Sequence, residues 1–252
     1  MTQAAPYLGI ARSLCGRFWL ERPGDERLGL AIAQRCQLPE LIGRMLAARG
    51  QSPESAPGFL APRLRDQLTD PSELKDMDRA AERLAGAIQS GERIAIFGDY
   101  DVDGATSAAL LSRFLRSVGA EEPMLHVPDR MRDGYGPNAP AFRALKAEGA
   151  ALVITVDCGI TAFAVLDEAA RIGLDVIIAD HHVAEPALPR AAAIVNPNRL
   201  DERSPHRNLA AVGVVYLLVI ATNRLLRRRG WFGPRWPPTG YWSTATYSRR
   251  SR

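Results

Sequence analysis

From residue 93 onward, short apolar runs rich in valine and isoleucine alternate with longer stretches whose apolar residues recur at helical spacing. The runs cover 93–97, 124–127, 151–156, 175–179 and 192–195, and the helical stretches cover 105–118, 139–148 and 160–172. This alternation predicts an α/β fold, a mainly parallel sheet with helices on both faces. Upstream the pattern is helical. Residues 28–48 are spaced as one helix that Gly50 would stop. Pro53, Pro57, Pro62 and Pro71 punctuate a loop-rich stretch, and 73–89 carries Leu74, Met77, Ala81, Leu84 and Ile88 on one face. Residues 209–221 are strongly apolar but too few to span a bilayer, which predicts a buried helix and no membrane association. The expected organisation is a helical segment over 1–90, the α/β domain over 91–232 and a tail over 233–252.

Three of the apolar runs end in acidic residues or histidine: Phe97-Gly-Asp-Tyr-Asp-Val-Asp-Gly104, Val153-Ile-Thr-Val-Asp-Cys-Gly159 and Val176-Ile-Ile-Ala-Asp-His-His182. In one parallel sheet their C-terminal ends lie side by side, where open α/β sheets place their sites. Asp99, Asp101, Asp103, Asp157, Asp180, His181 and His182 then crowd into one small volume. That many carboxylates stay ionised together only when cations neutralise them. Taken singly, a strand-end Asp is usually a cap or turn residue and adjacent histidines usually pack. The coincidence of three such ends points to a divalent metal site.

The i, i+2 spacing predicts that Asp101 and Asp103 project to one side of an extended segment, with Asp99 continuing the row. Oxygen donors suit Mg²⁺ or Mn²⁺, and imidazole shifts the preference toward Mn²⁺. Two ions roughly 3.5–4 Å apart can activate water and stabilise a leaving oxygen without any protein nucleophile. His182 is the candidate to contact a phosphate or shuttle a proton, with packing as its plainer role. Asp180 is expected to orient a ligating histidine rather than bind the ion. Gly104-Ala-Thr-Ser107 opens a helix whose free N–H groups suit a phosphate, unless Thr106 or Ser107 simply caps the turn. Arg130, Arg132 and Tyr135 lie in a Gly/Pro-rich loop, Arg130 suited to phosphate and Tyr135 to stacking on a base, with Asn138 as cap of the next helix. Cys158 reads as a small residue packed at a strand end.

The triplet Asp180-His181-His182 resembles the DHH phosphoesterase superfamily. The stretch Gly91-Glu-Arg-Ile-Ala-Ile-Phe-Gly-Asp-Tyr-Asp-Val-Asp-Gly-Ala-Thr-Ser107 is similar to its RecJ branch, single-strand-specific 5′ to 3′ DNA exonucleases. Pro128-Asp-Arg-Met-Arg-Asp-Gly-Tyr-Gly-Pro-Asn138, Asn196-Pro-Asn198, Asn208-Leu-Ala-Ala-Val-Gly-Val214, Phe59-Leu-Ala-Pro62 and Leu74-Lys-Asp-Met77 agree with that branch, up to about Phe232. The resemblance implies that Asp101, Asp103, Asp157 and His181 are metal ligands, with Asp157 bridging two Mn²⁺ or Mg²⁺ ions and Asp99 a further candidate. The superfamily's pyrophosphatases carry a histidine where Phe97 stands, which favours the exonuclease branch. It also implies single-stranded DNA as substrate, a single-strand-binding protein or helicase as partner, and a place in DNA repair and recombination in the cytoplasm. Two other readings compete: a DHH phosphoesterase acting on small nucleotides or pyrophosphate, and a non-catalytic remnant.

Charge and cysteine content change this picture little. The apolar share of 46% and charged share of 24% are ordinary for a globular protein. The net charge of +4 misleads, because eight arginines and no acidic residue follow from Arg224, and subtracting them leaves −4. Three scattered cysteines form no CxxC pair, which fits a reducing compartment. The start, Met1-Thr-Gln-Ala-Ala-Pro6, does not read as a signal peptide. The tail after Trp231-Phe232 has no amphipathic period and ends on a basic run. It is expected to be aberrant and disordered, replacing a helix, a further acidic ligand and two domains that the family would supply. A frameshift is the expected origin and impaired activity the expected consequence.

Overall fold

The computed structural model describes residues 6, 9–10, 12–20, 25–64 and 68–233. The expected aberrant tail, 233–252, therefore lies outside the described residues apart from Gly233. The chain divides into two compact units, Met1–Leu68 and Thr69–Arg252.

In the first unit, the helix expected over 28–48 is two helices, α1 (Glu26–Cys36) and α2 (Glu40–Ala47), followed by the short α3 (Ala56–Leu60). The break has a local cause. Gln37 takes a left-handed conformation (φ 54°), its N–H satisfying the carbonyls of Ala33 and Gln34, and Pro39 supplies no N–H to continue the ladder. The two helices then fold back on each other at their glycines. A Cβ on Gly43 would sit 2.1 Å from the Gly29 carbonyl oxygen, so only glycine permits this approach. Ile32, Leu46, Ala47 and Ala56 form the small core.

The second unit opens with a 3₁₀ turn at Pro71–Glu73 and α4 (Met77–Ser90). There follow β1 (Ile94–Gly98), α5 (Val102–Ser117), β2 (Met124–His126), α6 (Ala139–Ala147) and β3 (Leu152–Val156). The unit continues through α7 (Phe163–Arg171), β4 (Asp175–Ala179), β5 (Ala193–Val195) and α8 (Ala211–Arg228). The five strands form one sheet in the order β2-β1-β3-β4-β5, every pair parallel. This is the predicted fold class, with the helical segment ahead of it.

Strand alternation divides the core between two faces. Ala95, Phe97, Val153, Val176, Ile178 and Ile194 pack against Phe142 and Leu145 of α6 and Leu166 and Ala169 of α7. Their neighbours Ile94, Ile96, Leu152, Ile154 and Ile177, all buried, point to the other face, where α4, α5 and α8 lie. Phe97 anchors the first layer, edge-on to Phe142 at 5.8 Å and stacked on His126 at 5.0 Å. Helix α8 runs past the expected 209–221, and Trp231 at its end donates to the Val118 carbonyl at 2.8 Å. Among the described residues no helix is long and apolar enough to cross a membrane.

The chain leaves β1 toward β2 on one side, and β3 pairs on the other. The sheet therefore reverses its winding between β1 and β3. A crevice opens at the carboxyl ends of strands at such a point, and ligands of open α/β sheets bind there.

Candidate metal centre

The β1 end delivers three aspartates, but not as an extended row. Asp101 is the N-cap of α5: its Oδ1 accepts from the N–H of Asp103 at 2.9 Å and of Gly104 at 3.0 Å. Helix α5 consequently begins at Val102 rather than at the expected residue 105, and Asp103 stands in its first turn. The expectation that Asp101 and Asp103 share one side of an extended segment is thus corrected. The capping side chain won over the strand period. Gly104 makes the turn possible, since a Cβ there would lie 2.4 Å from the Asp99 carbonyl oxygen.

Asp103 reaches across to the start of α8. Its Oδ2 accepts from the N–H of Ala211 at 2.7 Å and its Oδ1 from that of Val212 at 2.8 Å. Asp99 is buried, and its Oδ1 accepts no hydrogen bond among the described residues. Asp157, just past β3, is buried in a left-handed backbone conformation (φ 61°) that a non-glycine residue holds only where its surroundings enforce it.

The β4 end places the histidines. Asp180 is fully buried and saturated: Oδ2 accepts from the Ile160 N–H at 3.1 Å, and Oδ1 from the N–H groups of His181 and His182 and from His182 Nδ1 at 2.8 Å. It holds His182, and both of its oxygens are engaged by these donors. His181 Nδ1 lies 3.0 Å from the Leu209 carbonyl, which can only accept, so Nδ1 carries a proton and, in the neutral ring, Nε2 presents a lone pair. That lone pair faces Asp157 Oδ1 at 3.2 Å and Asp103 Oδ2 at 3.7 Å.

Two sets of donor atoms result, each within 4.8 Å: Asp99, Asp101 and Asp157; and Asp157, His181 and His182. Asp157 belongs to both. Electrostatics follow from the crowding. Burial, then the Asp101 carboxylate, pushes Asp157 up to about 8, and burial raises Asp99. The Gly104 N–H holds Asp101 below the usual range. For Asp180 burial is outweighed by its hydrogen bonds from His182, and that same contact raises His182. The residues fit divalent cations. Asp99 Oδ1 and Asp157 Oδ1 are buried without donors among the described residues, and Asp157 Oδ1 faces His181 Nε2, an arrangement that a proton or a cation relieves.

Of the other sequence candidates, Tyr135 joins the centre: its hydroxyl donates to the Asp157 carbonyl at 3.2 Å and lies 3.3 Å from His182 Nδ1. Burial raises its phenol, which stays protonated. The Arg130 guanidinium lies 5.4 Å over the Tyr100 ring, between Asp99 and Asp101 in sequence. Thr106 turns its hydroxyl to the Val102 carbonyl at 2.7 Å, and Ser107 is fully buried, its hydroxyl unpartnered among the described residues. Neither caps α5. Cys158 is buried, its thiol raised by burial and directed at the Val156 carbonyl.

Sequence reasoning gave no role to Asn196 and Asn198. The Asn196 amide donates to the His182 carbonyl at 3.0 Å, and Asn198 donates to the carbonyls of His181 and Arg207. They clamp the backbone of both histidines. The signal was available, because Asn196 directly follows the fifth apolar run and so sits at the same sheet edge.

Comparison with known proteins shows the family. The family described as "DHH family, N-terminal domain" matches residues 93–230. The single-stranded-DNA-specific exonuclease RecJ of Bacillus subtilis is 40% identical over 206 residues, covering 81% of this chain and 26% of the relative. That of Escherichia coli K12 is 39% identical over 200 residues, covering 79% and 34%. The chain thus spans about a quarter to a third of the length of these relatives. Among solved structures, RecJ in complex with Mn²⁺ from Thermus thermophilus superposes with a TM-score of 0.64 at 29% identity, covering 82% of this chain and 28% of that one. An exonuclease RecJ bound to manganese superposes with a TM-score of 0.55 at 35% identity, covering 61% and 38%. With the family matched over more than half of its length, this chain belongs to the DHH family.

Proposed function

We propose that this chain carries the metal centre of a RecJ-type nuclease, which holds two Mn²⁺ or Mg²⁺ ions and removes nucleotides from the 5′ end of single-stranded DNA. The observation that carries the reading is Asp157, a buried carboxylate shared by two donor sets and faced by the lone pair of His181. Asp99, Asp101 and Asp157 would hold one ion, and Asp157, His181 and Asp103 the other. Bound there, the ions would supply an activated water and neutralise charge on the phosphate and the leaving oxygen.

The remaining work falls to the chain's own groups. His182, its Nδ1–H held by Asp180, keeps Nε2 free to contact a phosphate or return a proton to the leaving oxygen. Tyr135 braces the Asp157 backbone, and Arg130 over Tyr100 offers a cation for phosphate beside a ring for a base. Phe97 is fully buried under His126, which leaves the β1 end without the histidine expected of a pyrophosphatase. We assign the protein to DNA repair and recombination in the cytoplasm, with a single-strand-binding protein or helicase as partner.

The test is a 5′-labelled single-stranded oligonucleotide incubated with Mn²⁺. Weak release of 5′-terminal nucleotides, in keeping with the impairment expected of this chain, that stops with a chelator and in Asp157→Ala is the expected result. Preferential cleavage of pyrophosphate or of a dinucleotide would overturn the exonuclease reading in favour of a small-substrate phosphoesterase.

A further inference from the structure

We propose that Asp103 is a positioning residue for His181, acting through the first turn of α8. The inference rests on the metal reading above for its purpose, though not for its geometry. Five contacts define the relay. The Asp103 carboxylate accepts from the N–H groups of Ala211 and Val212 at 2.7 and 2.8 Å. Two residues upstream, the Leu209 carbonyl accepts from His181 Nδ1 at 3.0 Å. The opposite ring nitrogen then stands 3.2 Å from Asp157 Oδ1 and 3.7 Å from Asp103 Oδ2.

Helix α8 has Ala210 at its N-cap position and no side-chain cap of its own, so Asp103, more than a hundred residues earlier, fills that role. A capped first turn is a fixed turn, and fixing it fixes the carbonyl that leads into it. That carbonyl in turn selects which nitrogen of His181 carries the proton. Hydrogen-bond partners behind a ligating histidine set its tautomer and ring orientation in this way, and their loss costs about 10–100-fold in metal affinity. The stretch Asn208-Leu-Ala-Ala-Val-Gly-Val214 thereby closes the loop between the β1 and β4 ends of the site.

Ala211→Pro tests the relay without replacing Asp103, Leu209 or His181. Proline suits the first helical position, and Ala210 (φ −67°, ψ 159°) already has the extended conformation that a residue before proline requires. The substitution removes the Ala211 N–H and sets the ring carbon bonded to that nitrogen against Asp103 Oδ2, which stands 2.7 Å from the nitrogen, so the carboxylate must withdraw from the first turn. Two readouts on the full 252-residue chain are needed: the His181 tautomer from ¹⁵N imidazole correlations without metal, and Mn²⁺ affinity by calorimetry. The wild type should show His181 protonated at Nδ1. Ala211→Pro should show a mixture of tautomers and bind Mn²⁺ about 10–100-fold more weakly, with unchanged circular dichroism. An unchanged tautomer would overturn the relay whatever the affinity, because Asp103 is itself placed at one ion and its withdrawal alone weakens binding. Should Ala211→Pro not fold, Asp103→Asn, which turns an N–H₂ toward one of the two helix donors, decides by the tautomer: a shift supports the relay and retention overturns it. A wild type that binds no Mn²⁺ overturns the metal reading instead, and the tautomer still decides the relay.

Discussion

At the scale of single residues, the site is made by denying buried acids their usual partners. Asp157 is held near pKa 8 by burial and by the Asp101 carboxylate, against an ordinary value of 3.8. The sign of the linkage follows. Without cations the folded chain keeps a proton on Asp157 that the unfolded chain releases, so this contribution to stability is complete below about pH 4 and is lost as the pH rises through about 8. The cation-free thermal midpoint of the wild type should therefore fall between about pH 5 and 8, and Asp157→Asn should flatten that slope and melt higher at the alkaline end. A midpoint rising equally with pH in both proteins would contradict the role given to Asp157. Asp180 is the opposite case, an acid with every oxygen satisfied. Asp180→Asn turns an amide N–H₂ or a weaker acceptor toward those donors, at a cost of roughly 1–3 kcal/mol. It should also lower the His182 pKa, which the Asp180 contact raises. An unchanged His182 titration by NMR would show that Asp180 does not orient it.

At the scale of elements, local periodicity was legible and long-range side-chain-to-backbone bonds were not. The alternation of apolar runs and helical spacing located all five strands and the helices between them. It misplaced the start of α5, because Asp101 caps the helix three residues earlier than the apolar pattern suggests. It also placed one helix over 73–89 where a 3₁₀ turn and α4 stand. There Asp76 turns left-handed (φ 59°) and its carboxylate accepts from the Ile194 N–H at 3.2 Å and the Arg199 guanidinium at 3.0 Å. Arg199 is buried, also paired with Asp201, whose carboxyl Arg199 and then Lys75 hold down at about 2. No window of neighbouring residues reveals a bond spanning more than a hundred positions. This network ties the start of α4 to the sheet edge at β5, next to the asparagines that clamp the histidines. Arg199→Ala should cost roughly 1–3 kcal/mol by leaving Asp76 without its cation, while Asp201 keeps Lys75. Urea denaturation monitored by circular dichroism measures it, and an unchanged midpoint would mean that the network only decorates the edge.

At the scale of the whole molecule, the second compact unit brings together three strand ends, the start of α8 and the β5 loop around one crevice at the winding reversal of the sheet. The clustering of Asp99, Asp101, Asp157, His181 and His182 was legible because parallel strands present their carboxyl ends together. The attachment of Asp103 to α8 was not, since it depends on where a helix 108 residues later begins. We propose that this crevice holds two divalent cations that share Asp157. Calorimetric titration of the chain with Mn²⁺ tests it most directly. Two ions per chain in the wild type, and one or none in Asp157→Ala with its circular dichroism retained, is the predicted result; no Mn²⁺ binding by the wild type, or an unchanged stoichiometry in Asp157→Ala, would contradict it.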